Sequence, residues 1–254
     1  MRQYRFAGII PARYASKRFP GKPLAIIGGK TMIRRVYDQV SRSVDLAYVA
    51  TDDIRIFDEV RKFGGNAIMT SDEHQSGTDR CAEAAEKIIM ETGEKFDVVI
   101  NIQGDEPFIM PQQIELLKSC FASGDAGIAT LIRKCRPGED IFNANQPKVI
   151  IDSEGNAIYF SRTAIPFIRD YEPGQWSAVH VFYKHVGLYA YTSDVLKSIT
   201  RLPVSKLEKA ESLEQNRWLE NGFRIRTALT DLESIGVDTP EDLKKAISHL
   251  DDFK

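Results

Sequence analysis

The sequence predicts an α/β fold, built on a doubly wound, mostly parallel sheet with an inserted β-hairpin or arm. Apolar segments short enough for buried strands alternate with amphipathic segments of helical period in the first half of the chain. Residues 96–102 are almost continuously apolar, which is typical of a central parallel strand. In the second half, turn residues 153–156 separate two apolar segments and predict a hairpin. Strands that alternate with helices in this way form parallel sheets.

Each predicted element follows from its own pattern. The early helices turn apolar side chains inward at Met32, Ile33, Val36, Tyr37 and Val40, at Ile54, Phe57 and Val60, and at Cys81, Ala85, Ile88 and Ile89. Predicted strands cover residues 6–10, 47–50, 67–69, 96–102, 149–152, 157–160, 186–191, 223–229 and 235–238, and a further helix covers 207–219. Thr239 as N-cap and Pro240 as first helical residue, with acids behind them, predict the start of a final helix. No linker divides the chain, so we predict one domain over residues 1–254 with an arm near 150–200.

The composition argues against several classes of protein. A net charge of −2 and a pI near 6.1 argue against general nucleic-acid binding, which usually needs a basic domain. The three cysteines, Cys81, Cys120 and Cys135, lack metal-site spacing and the even count of a disulfide framework, which indicates a reducing compartment. No apolar run reaches about 18 residues, and no signal-peptide core opens the chain. We therefore expect a cytoplasmic protein with no membrane partner.

A basic loop joins the first predicted strand to the first predicted helix. It holds Arg13, Lys17, Arg18 and Lys22, together with prolines and a glycine that shape it, and it contains no acidic residue. Residues 1–37 contain nine Lys or Arg and no Asp or Glu. The loop could be an ordinary solvated basic surface. However, a patch of one sign at the place where α/β folds bind ligands attracts a polyanion, and we interpret the loop as a phosphate clamp.

Two common nucleotide-binding patterns are absent from the sequence. Gly29-Lys30-Thr31 resembles the end of a P-loop, but Leu24 stands where the first glycine of that pattern is required. No G-x-G-x-x-G segment follows the first predicted strand. A dinucleotide-binding fold of the usual kind therefore has little support.

Two aspartates, Asp105 and Asp238, stand directly after predicted strands. Each alone is typical of a turn or a helix cap. Together, at strand ends that face a basic loop, they suit a shared divalent cation, because Mg²⁺ prefers a few carboxylates combined with water and substrate oxygens. Such a cation neutralises phosphate charge. We expect a metal site at these aspartates if the topology brings them together.

Other polar side chains allow two interpretations. Residues 75–80 offer an amide, two hydroxyls and a glycine at a predicted helix start, which suits hydrogen bonds to a base or ribose and equally a helix cap at Thr78. Gln103 carries the same ambiguity, and a histidine before a strand, such as His185, is more often structural. In the second half, a polar set could instead line the pocket of a polyhydroxylated substrate: His185, Tyr189, Glu211 and Gln215.

Several segments give the sequence a specific resemblance to a known family. Residues 9–13 and 16–23 are similar to the opening signature of CMP-sugar synthetases. Later segments, in order along the chain, resemble the 3-deoxy-manno-octulosonate (Kdo) cytidylyltransferases: residues 74–80 (HQSGTDR), 101–107 (NIQGDEP), 159–162 (YFSR), 185–189 (HVGLY) and 236–242 (GVDTPED). CMP-sialic acid synthetases share mainly the opening signature.

The resemblance implies a fold of nucleotidyltransferase type and the transfer of CMP from CTP to Kdo, with release of pyrophosphate, for lipopolysaccharide biosynthesis in the bacterial cytoplasm. It also implies Mg²⁺ held by Asp105 and Asp238, and a homodimer formed through the arm. It assigns catalytic roles to these two aspartates with Arg13 and Lys22. The implied nucleotide-binding residues are Ala12, Arg13, Lys22, Gln75, Ser76, Gly77, Arg80 and Gln103, and the implied sugar-binding residues are Arg18, Gln103, Arg162, His185, Tyr189, Glu211 and Gln215.

The sequence departs from the family pattern at a few positions. Lys17, Asp79 and Asn216 differ from the residues expected there, and residues 166–182 diverge. The accepted sugar therefore stays open at this point, with an amino-substituted Kdo or a sialic acid as alternatives. A non-catalytic nucleotide-binding protein is the alternative from another class.

Overall fold

The computed structural model describes residues 3–16, 18–233 and 236–248 of the chain. Its helices and strands are, in chain order, β1 Phe6–Ala12, β2 Ile26–Ile27, β3 Lys30–Thr31, α1 Met32–Val40, β4 Leu46–Thr51, α2 Ile54–Lys62, β5 Ala67–Met69, α3 Gly77–Thr92, β6 Val98–Asn101, α4 Pro111–Ser119, β7 Ile128–Lys134, β8 Lys148–Ile151, β9 Ala157–Ser161, α5 Trp176–Val179, β10 Tyr183–Thr192, α6 Ser193–Ile199, α7 Lys206–Glu211, α8 Gln215–Glu220, β11 Ile225–Leu229 and α9 Pro240–Ser248. None of the helices described is long and apolar enough to cross a membrane. Lys17 and Ile235, which we predicted in the basic loop and the last strand, lie outside the described residues.

The chain folds as two compact units. Among the described residues, the larger unit comprises residues 3–16, 18–115, 190–200 and 236–248, and the smaller unit comprises residues 116–189 and 201–233. The prediction of one domain over residues 1–254 stays a prediction.

The larger unit contains a parallel sheet with strands in the order β6-β1-β4-β5. The chain moves outward from β1 through β4 to β5, and then returns to place β6 on the other side of β1. The strand order therefore reverses between β1 and β6, and such a switch point is where open α/β sheets bind their ligands. The segments that leave the carboxyl ends of β1 and β6 are the basic loop and the segment that carries Asp105.

Strand β1 is the centre of the larger unit because it is buried on both faces, with Ile9 and Ile10 fully inaccessible. Helix α1 packs on it through apolar side chains at helical spacing, among them Val36 and Val40. Gly8 allows the close contact, since a Cβ at this position would lie 2.5 Å from Val40 Cγ1. The predicted strand and helix are confirmed, and the close contact fixes where the basic loop begins.

The smaller unit contains the predicted hairpin. Strands β8 and β9 pair in antiparallel fashion, and β8 also pairs with the start of β10 through Val149 and Tyr183. Strands β7 and β11 pair in parallel. The predicted fold class, a mostly parallel sheet with an inserted hairpin, is therefore confirmed.

One predicted core residue is wrong. Ile54 is 58% exposed, whereas Ile56 and Val60 are fully buried. The Asp53 carboxylate accepts the Arg55 N–H and caps α2, so the helix begins at Ile54. Residues 54 and 56 then lie about 200° apart around a helix of 3.6 residues per turn, and they cannot both face the sheet.

Two predicted elements also differ from the structure. The single helix predicted over 207–219 is two helices, α7 and α8, separated at Ser212, whose φ of 51° lies in the left-handed region. The carbonyls of Glu211 and Ser212 accept hydrogen bonds from the Arg162 guanidinium at this break.

The strand predicted over 235–238 is irregular in its described part, residues 236–238. Its Val237 N–H donates to the Asp105 carbonyl at 2.9 Å.

Candidate active site

A cavity of about 300 Å³ opens at the carboxyl end of the parallel sheet in the larger unit. It lies where the sheet topology predicts a ligand site. Its lining residues are Pro11, Ala12, Arg13, Ala15, Ser16, Arg18, Lys22, Pro23, Gly77, Arg80, Gln103, Gly104, Asp105 and Asp238. The cavity therefore combines the basic loop, the start of α3 and both predicted metal-binding aspartates.

The basic loop is held in shape by its own backbone. The N–H groups of Ser16 and Gly21 both donate to the Tyr14 carbonyl at 2.9 Å. Gly21 has a φ of 71°, in the left-handed region that glycine adopts without strain. A single 3₁₀ turn, Lys22–Leu24, follows it. This turn directs the Lys22 side chain towards the aspartates of the cavity.

Lys22 joins the two aspartates. Its Nζ lies 2.6 Å from Asp105 Oδ2 and 3.1 Å from Asp238 Oδ1. The Lys22 side chain is only 12% exposed, and Arg18 Nη2 lies 3.1 Å from Asp238 Oδ2. Two oxygens that share one ammonium must be close to each other, so the structure brings the two predicted metal ligands together.

The segment after β6 approaches the end of β1 closely, because Gly104 has no side chain. A Cβ on Gly104 would lie 2.9 Å from the Pro11 carbonyl oxygen. Any other residue here would require the main chain to move. Gly104 thus sets the distance between Asp105 and the basic loop.

The start of α3 forms the other wall of the cavity. Ser76 caps this helix, since its Oγ accepts the Asp79 N–H at 3.1 Å. Of the two interpretations left open for this segment, the cap at Thr78 is therefore wrong, and Thr78 is buried within the first turn. Gly77 lines the cavity, whereas Gln75 is exposed and lies outside the lining, with its amide donating to a backbone carbonyl.

Two acidic residues that sequence analysis missed support this wall from outside the cavity. Asp52 pairs with the buried Arg80 at 3.2 Å. Glu83 accepts the Ser71 N–H at 2.8 Å and contacts the His74 ring. Burial raises the pKa of Glu83, but hydrogen bonds from Lys87, Ser71 and His74 outweigh it and lower the pKa to about 2. Neither acid belongs to a recognisable motif. In the sequence, Asp52 is simply an aspartate near the end of a predicted strand, and Glu83 is a glutamate in a predicted helix.

In the smaller unit, Arg162 and Glu211 lie together. The Glu211 carboxylate accepts from the Ser161 hydroxyl, the Arg162 N–H and the Tyr159 hydroxyl. Burial raises the Glu211 pKa, but these hydrogen bonds outweigh it and lower the pKa overall. The Arg162 guanidinium donates to the carbonyls of Ala144, Glu211 and Ser212. Both side chains thus organise the end of β9.

His185 and Tyr189 also lie together, with ring centroids 5.1 Å apart. His185 Nε2 lies 3.0 Å from the hydroxyl oxygen of Thr130. Burial of the ring lowers the pKa of His185 to about 4, so the imidazole is neutral near pH 7. Gln215 is 5% exposed, and within the part of the chain that the structure describes its Nε2 has no hydrogen-bond partner. A buried amide nitrogen without a partner is costly, which suggests an acceptor supplied by a ligand.

The donor set of the cavity fits Mg²⁺. Among the described residues, no group of three or more His, Cys, Asp or Glu side chains is placed to hold a metal ion. Asp105 and Asp238 supply two converging carboxylates that are 30% and 46% exposed. Mg²⁺ binds in such sites through one or two carboxylates, with waters and substrate phosphates completing its octahedron.

Comparison with known proteins agrees with this geometry. A family model described as cytidylyltransferase matches residues 7–229. The 3-deoxy-manno-octulosonate cytidylyltransferase of Parabacteroides distasonis is 57% identical over 250 residues, which cover 97% of this chain and 98% of the relative. That of Bacteroides thetaiotaomicron is 56% identical over 249 residues, with coverage of 97% and 98%. A solved CMP:2-keto-3-deoxy-manno-octonic acid synthetase complexed with CTP is 40% identical, with a TM-score of 0.89 and coverage of 98% of this chain and 99% of that one.

The match to the family model covers most of the chain, and the relatives are similar along almost their whole length. The chain therefore belongs to the cytidylyltransferase family and, within it, to the 3-deoxy-manno-octulosonate cytidylyltransferases. The resemblance on which the sequence analysis relied is confirmed.

The depressed pKa of His185 predicts how stability depends on pH. Between pH 6.5 and about 4 the unfolded chain binds a proton on this residue that the folded chain does not. Unfolding free energy should therefore fall as the pH is lowered through this window, by up to about 1.4 kcal/mol per pH unit. Urea denaturation from pH 6.5 to 4.5 measures this slope.

The His185→Gln variant should show a smaller slope, because the titrating group is gone. Equal slopes in the wild type and His185→Gln would contradict the prediction.

Proposed function

We propose that this chain transfers CMP from CTP to the anomeric hydroxyl of Kdo, giving CMP-Kdo and pyrophosphate. The observation that carries the proposal is the cluster of Lys22, Asp105 and Asp238 at the switch point of the sheet. In this reaction the hydroxyl oxygen bonds to the α-phosphorus, and the bond from that phosphorus to the bridging oxygen of pyrophosphate breaks. In such transfers the protein contributes mainly by positioning the reactants and by stabilising charge.

The larger unit supplies the groups for CTP. Arg13 and Lys22 line the cavity and would bind the triphosphate, and Arg18 adds a third cation to the same lining. Gly77 and the cap of α3 present backbone N–H groups at a helix N-terminus, which favours an anionic or polar ligand group. Further nucleotide contacts are assigned to Ala12, Gln75, Ser76, Arg80 and Gln103, of which Gln75 must turn from its exposed position.

Asp105 and Asp238 would hold Mg²⁺. Such an ion would neutralise phosphate charge and lower the pKa of a hydroxyl group in its coordination sphere. We therefore assign no side chain as a general base. Arg13 and Lys22 would stabilise the charge that develops on the α-phosphate, as fixed cations do in other transfer sites.

The smaller unit supplies most of the groups assigned to the sugar. The neutral His185 imidazole and the Tyr189 hydroxyl suit hydrogen bonds to hydroxyl groups, because each can donate and accept. The unpartnered amide of Gln215 supports the same assignment. Arg162 and Glu211 contribute by holding the end of β9 in place. The resemblance also assigns Arg18 and Gln103 to the sugar.

The product is an activated form of the sugar that lipopolysaccharide assembly consumes. We place the protein in the bacterial cytoplasm, where CTP is available. The free state of the three cysteines is compatible with a reducing compartment.

The proposed function is tested by pyrophosphate release from CTP with Kdo, an amino-substituted Kdo and a sialic acid, each with and without Mg²⁺. We expect release with Kdo and Mg²⁺, and only trace release when the metal is chelated. Preferred turnover of another sugar would move the assignment to that sugar. Binding of CTP without turnover of any sugar would contradict an enzymatic role.

The Asp105→Asn variant should lose about 2–4 kcal/mol of transition-state stabilisation, the range for removal of one preorganised electrostatic group. The substitution keeps the shape of the side chain but removes the charge that faces Lys22 and the metal. Steady-state kcat/KM for Kdo, together with thermal melting, measures the effect. Asp58→Asn, a change of an exposed aspartate on α2, is the control and should be neutral. Near-normal turnover by Asp105→Asn would remove this residue from the catalytic set.

We also propose a homodimer formed through the arm within residues 150–200. The smaller unit exposes large apolar side chains in this region: Ile158 is 56% exposed, Phe167 75%, Val179 46% and Val181 50%. A groove of about 450 Å³ contains two of them, Val179 and Val181, in its lining, together with residues of β8 and with Ile165, Pro166, His180 and Tyr183. Exposed apolar surface of this kind commonly marks a protein–protein interface, and a second copy of the chain is the occupant that we propose.

Replacement of this surface should separate the dimer. Phe167→Asp should shift the mass measured by light scattering during size exclusion from that of two chains to that of one, because a desolvated charge opposes association. Met90→Asp, at an apolar side chain on α3 that is 84% exposed, is the control and should leave the mass unchanged. A wild-type protein that has the mass of one chain at micromolar concentration would contradict the proposal.

A further inference from the structure

We propose that Asp52 is a positioning residue for CTP binding, and that it acts by holding the guanidinium of Arg80 at the wall of the cavity. The inference rests on the proposed function, since it concerns the nucleotide of that reaction. It goes beyond the assignments above, because Asp52 itself lies outside the cavity lining.

Arg80 is unusual for a cavity residue because only 1% of its side chain is exposed. It lies in the first turns of α3 and lines the cavity beside Gly77 and Gln103. A guanidinium buried to this extent is costly unless a counter-ion and hydrogen bonds compensate for lost hydration. Its partners therefore decide where the guanidinium can lie.

Both partners stand at the carboxyl edge of the parallel sheet. Arg80 Nη1 donates to Thr70 Oγ1 at 2.6 Å, and Nη2 donates to Asp52 Oδ2 at 3.2 Å. Asp52 directly follows β4 and Thr70 directly follows β5. The Thr70 N–H donates to the Thr51 carbonyl at 2.8 Å, which fixes the two strand ends relative to each other. The sheet thus provides a rigid support for a side chain that extends from α3.

The pairing leaves donor capacity for a ligand. Arg80 Nε is buried and has no hydrogen-bond partner among the described residues, and Asp52 accepts from the guanidinium through Oδ2. Arginine has no acceptor atoms, so the remaining N–H can serve only an acceptor. A base carbonyl, a ring nitrogen or a ribose oxygen of CTP supplies such an acceptor. Arg80 is thus suited to recognise the nucleoside part of CTP. Arg13, Arg18 and Lys22 are the cations of the cavity that suit its triphosphate.

The Asp52→Asn variant keeps the size of the side chain but leaves Arg80 without its counter-ion. Calorimetric binding of CTP in the absence of Kdo should weaken by about tenfold to a hundredfold, the range for loss of a hydrogen bond to a charged group. The KM for CTP should rise in parallel, whereas kcat and the KM for Kdo should stay within about twofold, because the reacting atoms keep their contacts. Asp53→Asn is the matched control. It makes the same change at the next residue, whose carboxylate pairs with Arg55, and it should bind CTP normally.

A double-mutant cycle separates positioning from general destabilisation. If Asp52 acts through Arg80, Asp52→Asn should weaken CTP binding no further in an Arg80→Met background, since residues that act as one unit are not additive. Additive losses, or unchanged CTP binding by Asp52→Asn, would overturn the inference. If Asp52→Asn does not fold, Asp52→Glu shifts the carboxylate by one methylene group, and normal CTP binding by that variant would overturn the inference equally. Wild-type turnover with CTP and Kdo, measured in the same series, tests the proposed function independently.

Discussion

One ammonium group holds the candidate site together. Lys22 contacts Asp105, 83 residues away in sequence, and Asp238, 216 residues away, and its side chain is largely shielded from water. Two carboxylates this close to one another repel unless a cation lies between them. The ammonium supplies that cation, and the hydrogen bond from the Val237 N–H to the Asp105 carbonyl joins the backbones of the two acidic segments. The placement of the basic loop and the convergence of the two aspartates both depend on this contact.

The interaction also indicates how the site can change charge when substrates bind. We infer that Lys22 compensates the charge of the two aspartates, and that the phosphates of CTP offer the same ammonium an alternative partner. The loop can aim the side chain because Gly21 permits the left-handed turn before the 3₁₀ segment Lys22–Leu24. Gly104 then fixes how far Asp105 lies from the end of β1. This arrangement provides positioning and charge compensation rather than a reactive side chain.

Sequence patterns predicted the parts of this structure that depend on local rules. Apolar segments located the strands, and the ends of β1 and β6 predicted where Lys22 and Asp105 would stand. Sequence patterns did not predict the features that depend on a contact between residues distant in the sequence. Asp52 becomes important only because Arg80, 28 residues later, reaches it. The predicted helix over 207–219 breaks at Ser212, where carbonyl groups accept from a guanidinium about 50 residues earlier in the chain. Ile54 was predicted to face inward from its apolar spacing, but the cap at Asp53 makes it the first residue of the helix, and its side chain is exposed.

The most direct test of the central contact is the affinity for Mn²⁺, which suits the same oxygen ligands as Mg²⁺ and is detected by electron paramagnetic resonance. Without nucleotide, Lys22→Met should bind Mn²⁺ about tenfold more tightly than the wild type, a change of about 1.4 kcal/mol, because the competing ammonium is gone. A second change, Asp238→Asn, should abolish that gain if both carboxylates share the ion. Equal Mn²⁺ affinity in the wild type and Lys22→Met, or a gain that survives Asp238→Asn, would contradict a single charge-sharing site of Lys22, Asp105 and Asp238.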